Sequence, residues 1–390
     1  MPISALPSDV LSLVLTQLSL ASLVRSKRTC RAFHDAAPEA EKAVRRRGCV
    51  HEHAHGVDCV AAAPGGRLIT GSYREVKVWR DGACERAIQA HTGWVTAVVV
   101  LPGGARFVSG SIDGTAKLWT LDGNLMRTFN EDAMMGSMVN CVAALPDGVR
   151  IVVSIVDDEE SDGSFVQLYH VDGTLLDTID AEVYAMVATP DGHHIISGER
   201  HTDVSVWNVD TNSVVSTFDG HTSRVNSVAV TPNGQRILSC GDDQTVRVHL
   251  LDGTLKKTIE LHDNNEMRDM VAEHALVALP DNQHALSASH DKTVKLFNVN
   301  DGAVLRTFKH HTDGVAFLAL LPDGLRFVSG SADGTARVAY HGLAFAAAPA
   351  YLASEEERVK NRLKAESRRH VEEVRRLEAD LAAVQLAATR

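Results

Sequence analysis

The sequence predicts a mainly β protein built around a closed seven-bladed propeller, with a small helical domain before it and one long helix after it. Three features predict this architecture: a turn pattern that recurs through the middle, an apolar segment near the N-terminus, and a final segment without glycine or proline. The predicted boundaries are residues 3–45 for the helical domain, 49–349 for the propeller and 354–390 for the helix.

Seven prolines punctuate the middle of the chain, each followed by Gly-Gly, Asp-Gly, Asn-Gly or Asp-Asn and flanked by short apolar runs. They are Pro64, Pro102, Pro146, Pro190, Pro232, Pro280 and Pro322. Proline before glycine, aspartate or asparagine favours a tight turn, and alternating β-branched runs on both sides make each turn a hairpin. The separations of ~40–48 residues suit four strands per unit. The pattern therefore predicts seven four-stranded blades.

The second half of each unit carries a segment such as SGSIDGTAKLW, which ends at an aromatic residue in most units. These units resemble WD repeats over about Cys49 to Pro349. The Trp-Asp dipeptide itself is absent, because Trp79, Trp119 and Trp207 are followed by other residues. The resemblance rests on the spacing and on the S-x-D-x-T segments.

The resemblance implies a buried, hydrogen-bonded set of side chains within the blades. The set is most complete in the second unit, as His91, Ser109, Asp113 and Trp119. It recurs without tryptophan as His221, Ser239 and Asp243, and as His311, Ser329 and Asp333. Serine, histidine and aspartate are also the components of a nucleophilic triad, but catalysis needs one such set, whereas a scaffold needs one per blade. We therefore expect a structural role and no enzymatic activity.

The N-terminal segment LPSDVLSLVLTQLSLASLVRSKRTCRAFH predicts helices with more apolar surface than one neighbour can cover. Ser8 is a suitable N-cap, and the Asp9 carboxylate favours the positive end of the helix dipole. A unit of about forty residues rarely buries enough surface to be stable alone. We expect it to complete its core on another protein or on the rest of the chain.

This segment resembles an F-box, a domain that docks on a Skp-type adaptor and so tethers its protein to a cullin-based ubiquitin ligase. The resemblance assigns adaptor contacts to Leu6, Pro7, Val10, Leu11, Val14, Leu15, Leu18, Leu23 and Phe33. It predicts a substrate-recognition subunit whose propeller binds the protein to be ubiquitinated. The alternative is a non-catalytic propeller scaffold, in which the helices only cap the following domain.

One face of a WD-repeat propeller, built from the loops between strands d and a and between strands b and c, usually binds peptides or proteins in that family. Mapping the units onto one another predicts a substrate face that includes Trp94, Arg200, Arg224, Asp242 and His290. Insertions at 157–164 and 261–269 should lie on the same face. Two arginines are too few for the converging guanidiniums that a doubly phosphorylated peptide needs. We expect an aromatic, mixed-charge recognition surface.

The composition excludes several other classes of function. The formal net charge of −11 gives no overall basic field for nucleic acid, and no apolar run is long enough to span a bilayer. Six cysteines without CxxC spacing suit reduced thiols, so we expect a cytoplasmic or nuclear protein. The alternating His51, His53 and His55 share a face in a strand, but no carboxylate or thiolate cluster joins them. We expect no metal and no cofactor.

Two histidine pairs, at 193–194 and 310–311, lie at predicted turns, where we expect them to contact solvent.

The segment after Pro349 predicts a helix that starts at a capping box formed by Ser354 and Glu357. One heptad register forms a plausible coiled-coil seam in the second half of this helix. That seam contains Leu377, Leu381 and Val384. The helix either self-associates or packs along the propeller of its own chain.

Overall fold

A computed structural model of the protein describes residues 51–343, apart from 54, 81, 131–135, 158–163, 200–201, 220 and 263–274. These residues form seven antiparallel sheets of four strands each. The prediction of a mainly β, seven-bladed propeller is thereby confirmed. The predicted helical domain at 3–45 and the predicted helix at 354–390 lie outside the described residues. In the part of the chain that is described, no helix has the length and apolarity needed to cross a membrane.

The strands follow one another around the ring in chain order. The first strand, β1 (His51–Glu52), belongs to the last blade. Blade one contains β2 (Cys59–Ala63), β3 (Arg67–Ser72), β4 (Glu75–Arg80) and β5 (Ala83–Gln89). Blade two contains β6 (Val95–Val100), β7 (Arg106–Ser111), β8 (Ala116–Thr120) and β9 (Leu125–Phe129). Blade three contains β10 (Ser137–Ala144), β11 (Arg150–Asp157), β12 (Phe165–His170) and β13 (Leu175–Asp180).

The second half of the ring repeats this order. Blade four contains β14 (Val183–Ala188), β15 (His194–Glu199), β16 (Asp203–Asn208) and β17 (Ser213–Asp219). Blade five contains β18 (Val225–Val230), β19 (Arg236–Gly241), β20 (Thr245–Leu250) and β21 (Leu255–Glu260). Blade six contains β22 (Ala275–Ala278), β23 (His284–Ala288), β24 (Val294–Asn298) and β25 (Val304–Phe308). Blade seven contains β26 (Val315–Leu320), β27 (Arg326–Ser331) and β28 (Thr335–Tyr340), with β1 as its outer strand.

The ring is closed by strands from opposite ends of the propeller. The first strand of each blade contacts the first strand of the next, and β26 of blade seven contacts β2 of blade one. In addition, β1 pairs with β28, with His51 opposite Ala336 and Glu52 opposite Thr335. Blade seven therefore takes its outer strand from the start of the chain, which the sequence analysis did not predict.

The core lies between adjacent blades rather than within one blade. Between blades two and three, Val108, Leu118 and Phe129 pack with Ile151 and Ile155, and all five are buried. Inner strands such as β3 and β7 are buried at consecutive positions, because every blade is covered on both faces by its neighbours. Closing the ring is therefore what completes the core.

The proline turns link neighbouring blades as well as strands. Gly104, in the first turn of blade two, has a φ of +68°, which glycine adopts without a steric penalty. A Cβ at Gly104 would lie 2.2 Å from Cγ of Pro64 in blade one. The glycine is needed both for the turn and for the close approach of the preceding blade's proline.

Candidate protein-binding face

In every blade, the first strand begins, the second ends and the third begins at the same end of the sheet. The connections between blades and those between second and third strands therefore share one face of the propeller, here called the loop face. Trp94, Arg224, Asp242 and His290 all lie in such connections. Arg200 lies outside the described residues, as do 158–163 and 263–269 from the two predicted insertions.

The loops of blade two are held by a chain of buried hydrogen bonds. Trp119 Nε1 donates to Ser109 Oγ at 2.9 Å, and Ser109 Oγ lies 2.8 Å from His91 Nε2. His91 Nδ1 lies 3.0 Å from an Asp113 carboxylate oxygen, and Asp113 also accepts from the backbone N–H of Thr92 at 2.9 Å. The chain joins the second and third strands to both connections on the loop face.

Equivalent chains occur in three further blades. In blade five, His221 lies 2.8 Å from Ser239 Oγ and 2.9 Å from Asp243. In blade seven, His311 lies 2.8 Å from Ser329 Oγ and 3.0 Å from Asp333. In blade six, His262 lies 3.1 Å from Ser287 Oγ and 2.8 Å from Asp291.

The sequence analysis missed the chain in blade six because the long connection before that blade obscured the spacing of its histidine. The segment Ser289-His290-Asp291-Lys292-Thr293 matches the S-x-D-x-T pattern and marks Asp291. Within the described blades the Ser-His-Asp arrangement thus recurs four times, in blades two, five, six and seven. This repetition, together with the burial of its serines and histidines, fits a structural brace rather than one catalytic centre.

The aspartates of these braces are held in the ionised form. Burial alone would raise the pKa of Asp113, but hydrogen bonds from His91 and Thr115 outweigh it and hold that pKa well below its usual range. The same balance lowers the pKa of Asp243 and Asp333, and it lowers the pKa of Asp291 to about 2. An ionised aspartate accepts the His Nδ1–H, which leaves His Nε2 to accept from the serine hydroxyl.

A histidine takes over the tryptophan position in blade five. In blade five, His249 occupies that position in the strand, stacks on Phe218 at 5.3 Å and is 1% exposed. Neither ring nitrogen of His249 has a hydrogen-bond partner, and burial lowers its pKa to about 4.

In blade seven, Ala339 stands at the tryptophan position, and His310 supplies the missing hydrogen bond. His310 Nε2 lies 2.9 Å from Ser329 Oγ, and burial lowers the pKa of His310 to about 4. The expectation that the pair 310–311 contacts solvent is therefore wrong, because His311 is buried and His310 is half-buried beside the brace. In the other pair, His193 forms an exposed ion pair with Asp210.

The remaining blades carry only parts of the brace. In blade one, Trp79 Nε1 donates to Thr70 Oγ1 at 2.8 Å, and Thr70 Oγ1 lies 2.6 Å from His53 Nε2. In blade four, Trp207 Nε1 donates to Ser197 Oγ at 2.6 Å. In blade three, Val153 stands at the serine position, and the next residue, Ser154, donates from Oγ to the Val183 carbonyl at 2.6 Å.

Blades one and two display what we call the aromatic cluster, which consists of His55, Tyr73, Arg74, Trp94 and Ile112. The rings of Tyr73 and Trp94 meet edge to face at 6.0 Å, and the His55 ring lies 4.9 Å from Tyr73. The Arg74 guanidinium lies 5.0 Å from the centre of the Tyr73 ring. Trp94 is 55% exposed and Ile112 is 40% exposed. This part of the loop face offers apolar area together with one positive charge.

Blades four and five display what we call the polar cluster, which consists of Glu182, Tyr184, Arg224, Asn226 and Asp242. Arg224 lies over the Tyr184 ring at 5.1 Å, and its Nε donates to Asn226 at 2.9 Å. An Asp242 oxygen lies 3.7 Å from Arg224 Nε, and Tyr184 donates to Glu182 at 3.1 Å. This cluster has two carboxylates and one guanidinium, and that guanidinium has a carboxylate beside it.

The predicted substrate face is thus divided between two clusters. Trp94 belongs to the first and Arg224 and Asp242 to the second, on blades that blade three separates. His290 is half-buried, and its ring leaves no room for a Cβ at Gly314, since such an atom would lie 2.6 Å from His290 Nδ1. Sequence mapping found Trp94 but missed Tyr73 and His55, which lie at positions without a recurring residue type.

The described residues contain no group of three or more histidine, cysteine, aspartate or glutamate side chains suited to hold a metal ion. His53 is engaged with Thr70, and His55 packs on Tyr73. Cys59, Cys84, Cys141 and Cys240 are free thiols.

Comparison with known families identifies both parts of the chain. The model of the family "WD domain, G-beta repeat" matches residues 47–80, 82–120, 212–249, 253–298 and 302–338. The model of the F-box-like family matches residues 3–41. The chain belongs to the F-box proteins with a WD-repeat domain. Both modules are typically non-catalytic adaptors or scaffolds. In the propeller of this F-box protein, the repeat model leaves blade three and the first three strands of blade four unmatched.

Several curated proteins are similar to this F-box protein. Cilia- and flagella-associated protein 52 of Sus scrofa is 29% identical over 205 residues, which are 50% of this chain and 32% of that protein. Nuclear distribution protein PAC1 of Arthroderma otae is 26% identical over 64% of this chain and 59% of its own length. Apoptotic protease-activating factor 1 of Rattus norvegicus is 23% identical over 64% of this chain and 19% of its own length. The chain thus spans well under two thirds of these relatives.

Proposed function

We propose that this protein is the substrate-recognition subunit of a cullin-type ubiquitin ligase. Its F-box-like domain would dock on a Skp-type adaptor and through it on a cullin, while the loop face of the propeller binds the protein to be ubiquitinated. The observation that carries the proposal is the combination, in one chain, of an F-box-like domain and a propeller with an exposed tryptophan, Trp94, on its loop face. The names of the relatives point to no shared process, so the domain combination is the main support.

The proposed mechanism is proximity rather than chemistry on this chain. Holding a target near a charged ubiquitin-conjugating enzyme raises the effective concentration of its lysines, which accelerates transfer without a catalytic residue here. The Ser-His-Asp sets do not compete with this mechanism, because they brace the blades. We place the protein in the cytoplasm or nucleus, where such ligases would meet it and where the four described free thiols would stay reduced.

Direct binding to a purified Skp-type adaptor tests the proposal. We expect the full chain to bind, and we expect a Leu11→Asp, Leu15→Asp variant to lose binding because it places two charges on the predicted adaptor surface. Gln17→Asp is a matched control that adds a charge at a polar position of the same predicted helix, and it should bind within a few-fold of the parent. Failure of the parent chain to bind the adaptor would leave a propeller scaffold as the better description.

Self-association through the predicted helix at 354–390 is a separate proposal. Light scattering on the full chain and on a Leu377→Asp, Leu381→Asp variant tests it. A dimer in the parent and a monomer in the variant would support a coiled coil, and equal masses would contradict it.

A further inference from the structure

Tyr73 is held in a backbone conformation that disfavours large side chains. Only two residues connect β3 to β4, because Ser72 pairs directly with Glu75. In this short connection Tyr73 has a φ of +50°, whereas the longer connection of blade two has Gly114 at +81°. A bulky residue at positive φ is a genuine outlier, and such strain concentrates at functional sites. Blade one thus keeps a tyrosine where glycine would be relaxed.

The surrounding structure fixes this tyrosine from both sides. The Tyr73 N–H donates to an Asp58 carboxylate oxygen at 3.0 Å, and the Tyr73 carbonyl accepts from the Val95 N–H at 2.6 Å. The second bond ties Tyr73 to the start of blade two, directly after Trp94. The two rings are therefore positioned by backbone contacts before any partner arrives, which limits the entropy lost on binding.

The cluster places apolar area at the surface instead of burying it. Trp94 is 55% exposed, although it meets the Tyr73 ring edge to face. Ile112 extends the patch, because its N–H donates to the Trp94 carbonyl at 3.0 Å and its side chain packs on the backbone at Gly93. Tryptophan, tyrosine and arginine are the residue types that most often anchor protein interfaces.

The charge of the cluster is positive, on a chain with a formal net charge of −11. Arg74 is exposed, and no carboxylate of the described residues pairs with its guanidinium. The neighbouring carboxylates are already engaged: Asp58 accepts from the Tyr73 N–H, and Asp113 belongs to the brace of blade two. Arg224 in the polar cluster differs, because Asp242 lies 3.7 Å from it. The aromatic cluster therefore offers an unpaired guanidinium to an anionic group of a partner.

We propose that the aromatic cluster binds a short acidic segment of the protein substrate. A large apolar or aromatic side chain of the segment packs on Trp94, Tyr73 and Ile112, and a neighbouring anionic group pairs with Arg74. The anionic group is a carboxylate or a phosphate, since a guanidinium pairs with both in a bidentate manner. This inference rests on the proposed function for the identity of the partner.

Fluorescence anisotropy with labelled peptides tests the inference on the full chain. The probe is a short peptide of alternating glutamate and phenylalanine. Three comparison peptides replace every glutamate by lysine, every phenylalanine by alanine, or one glutamate by phosphoserine. We expect the probe to bind at least tenfold more tightly than the lysine and alanine peptides, and we expect its binding to weaken with added salt. The phosphoserine peptide shows which anionic group Arg74 prefers.

Substitutions in the two clusters test where the probe peptide binds. Trp94→Ala and Arg74→Glu should each weaken the binding of the probe by about tenfold or more. Tyr73→Gly should weaken the binding of the probe, because it removes the ring. It should leave the melting temperature unchanged or higher, because glycine adopts the positive φ without strain. A tyrosine with a purely structural role would instead lower the melting temperature. Arg224→Glu, in the polar cluster, is the matched control and should leave the affinity within a few-fold.

The outcomes separate this inference from the proposed function. Adaptor binding with no response of the probe to Trp94→Ala and Arg74→Glu would overturn the inference and leave the ligase role standing. Probe binding that depends on these residues, without adaptor binding, would keep the site and overturn the ligase role. An affinity lost in Arg224→Glu instead would move the acidic segment to the polar cluster and contradict the inference.

Discussion

Blades two and three are neighbours with the same four strands, yet they are held together differently. In blade two, Ser109 lies between Trp119 and His91, in a chain that ends at Asp113. In blade three, Val153 stands at the position of Ser109, and the next residue, Ser154, donates to the Val183 carbonyl of blade four. One serine braces its own blade, and the other joins two blades.

This difference explains which blades the repeat model detects. The matched blades one, two, five, six and seven each bond a histidine to the serine or threonine of the second strand. Among the described residues, blades three and four contain no such histidine. The strand pattern and the proline turns persist in both unmatched blades. The comparison teaches that hydrophobic alternation and turns are enough to form a blade, while the brace supplies the recognisable signature.

The largest expected effect separates the two serines. Ser109→Ala leaves the buried Trp119 N–H and His91 Nε2 without their partner, so we expect a loss of ~2–4 kcal/mol in the free energy of unfolding. Ser154→Ala removes one hydrogen bond to a carbonyl, and we expect a loss of about 1 kcal/mol. Urea unfolding of both variants measures the contrast. Equal losses would show that the brace adds nothing beyond a single hydrogen bond.

Acidification should lower the free energy of unfolding through His249 in blade five. The pKa of His249 falls from 6.5 to about 4 in the folded protein, because burial disfavours the charged ring. In this window the unfolded chain binds more protons, so stability is fully present above pH 6.5 and is lost as the pH falls towards 4. The slope contributed by this histidine is at most ~1.4 kcal/mol per pH unit. Unfolding of the parent chain and of His249→Phe between pH 7 and 4.5 should show a shallower fall in the variant.

At neutral pH, His249→Phe tests whether the tryptophan position of blade five is more stable with an apolar ring. Neither nitrogen of His249 has a partner, so His249→Phe removes two buried polar atoms and keeps a ring against Phe218. We expect a gain of about 1 kcal/mol in the free energy of unfolding. A loss of stability, measured by urea unfolding at pH 7.5, would mean that the site tolerates only the smaller ring.

The smallest effect concerns packing between the unbraced blades. A cavity of about 30 Å³ lies between blades three and four, lined by residues that include Val166, Ile179, Trp207 and Val209. Val209→Ile adds a methylene there and should raise the free energy of unfolding by ~0.5 kcal/mol. Val299→Ile is the matched control in blade six, where Val299 is 1% exposed, and it should destabilise by overpacking. A gain in both variants would indicate that the cavity is not special.

Much of the fold follows from the sequence, because a repeated hairpin has few ways to bury both its faces. The seven proline turns give the number of blades, the S-x-D-x-T segments give Asp113 and Asp333, and the related G-x-D-x-T segment gives Asp243. Asp291 and its partner His262 were missed, because an irregular connection breaks the spacing between them. His310 was misplaced, since only the structure shows that it takes the role of a tryptophan from another part of the blade.

The candidate site was less predictable than the fold. Trp94 was found from its position in the repeat, whereas Tyr73 depends on a shortened connection whose effect on φ no periodicity reveals. The grouping of Arg224 with Tyr184 likewise depends on side chains from two blades meeting. Strand pairing within a blade follows the order of the sequence, whereas side-chain contacts between blades on the loop face do not.

The pairing of β1 with β28 also sets an order of events during synthesis. The ribosome makes β1 near the start of the propeller, yet its partner β28 is the last of the described strands to be made. At ~5–20 residues per second, β1 waits for tens of seconds without its partner while the intervening blades are made. Throughout that interval the short edge of β1 is open to chaperones and to unwanted partners. Blade seven therefore cannot be completed until the ribosome has made β28.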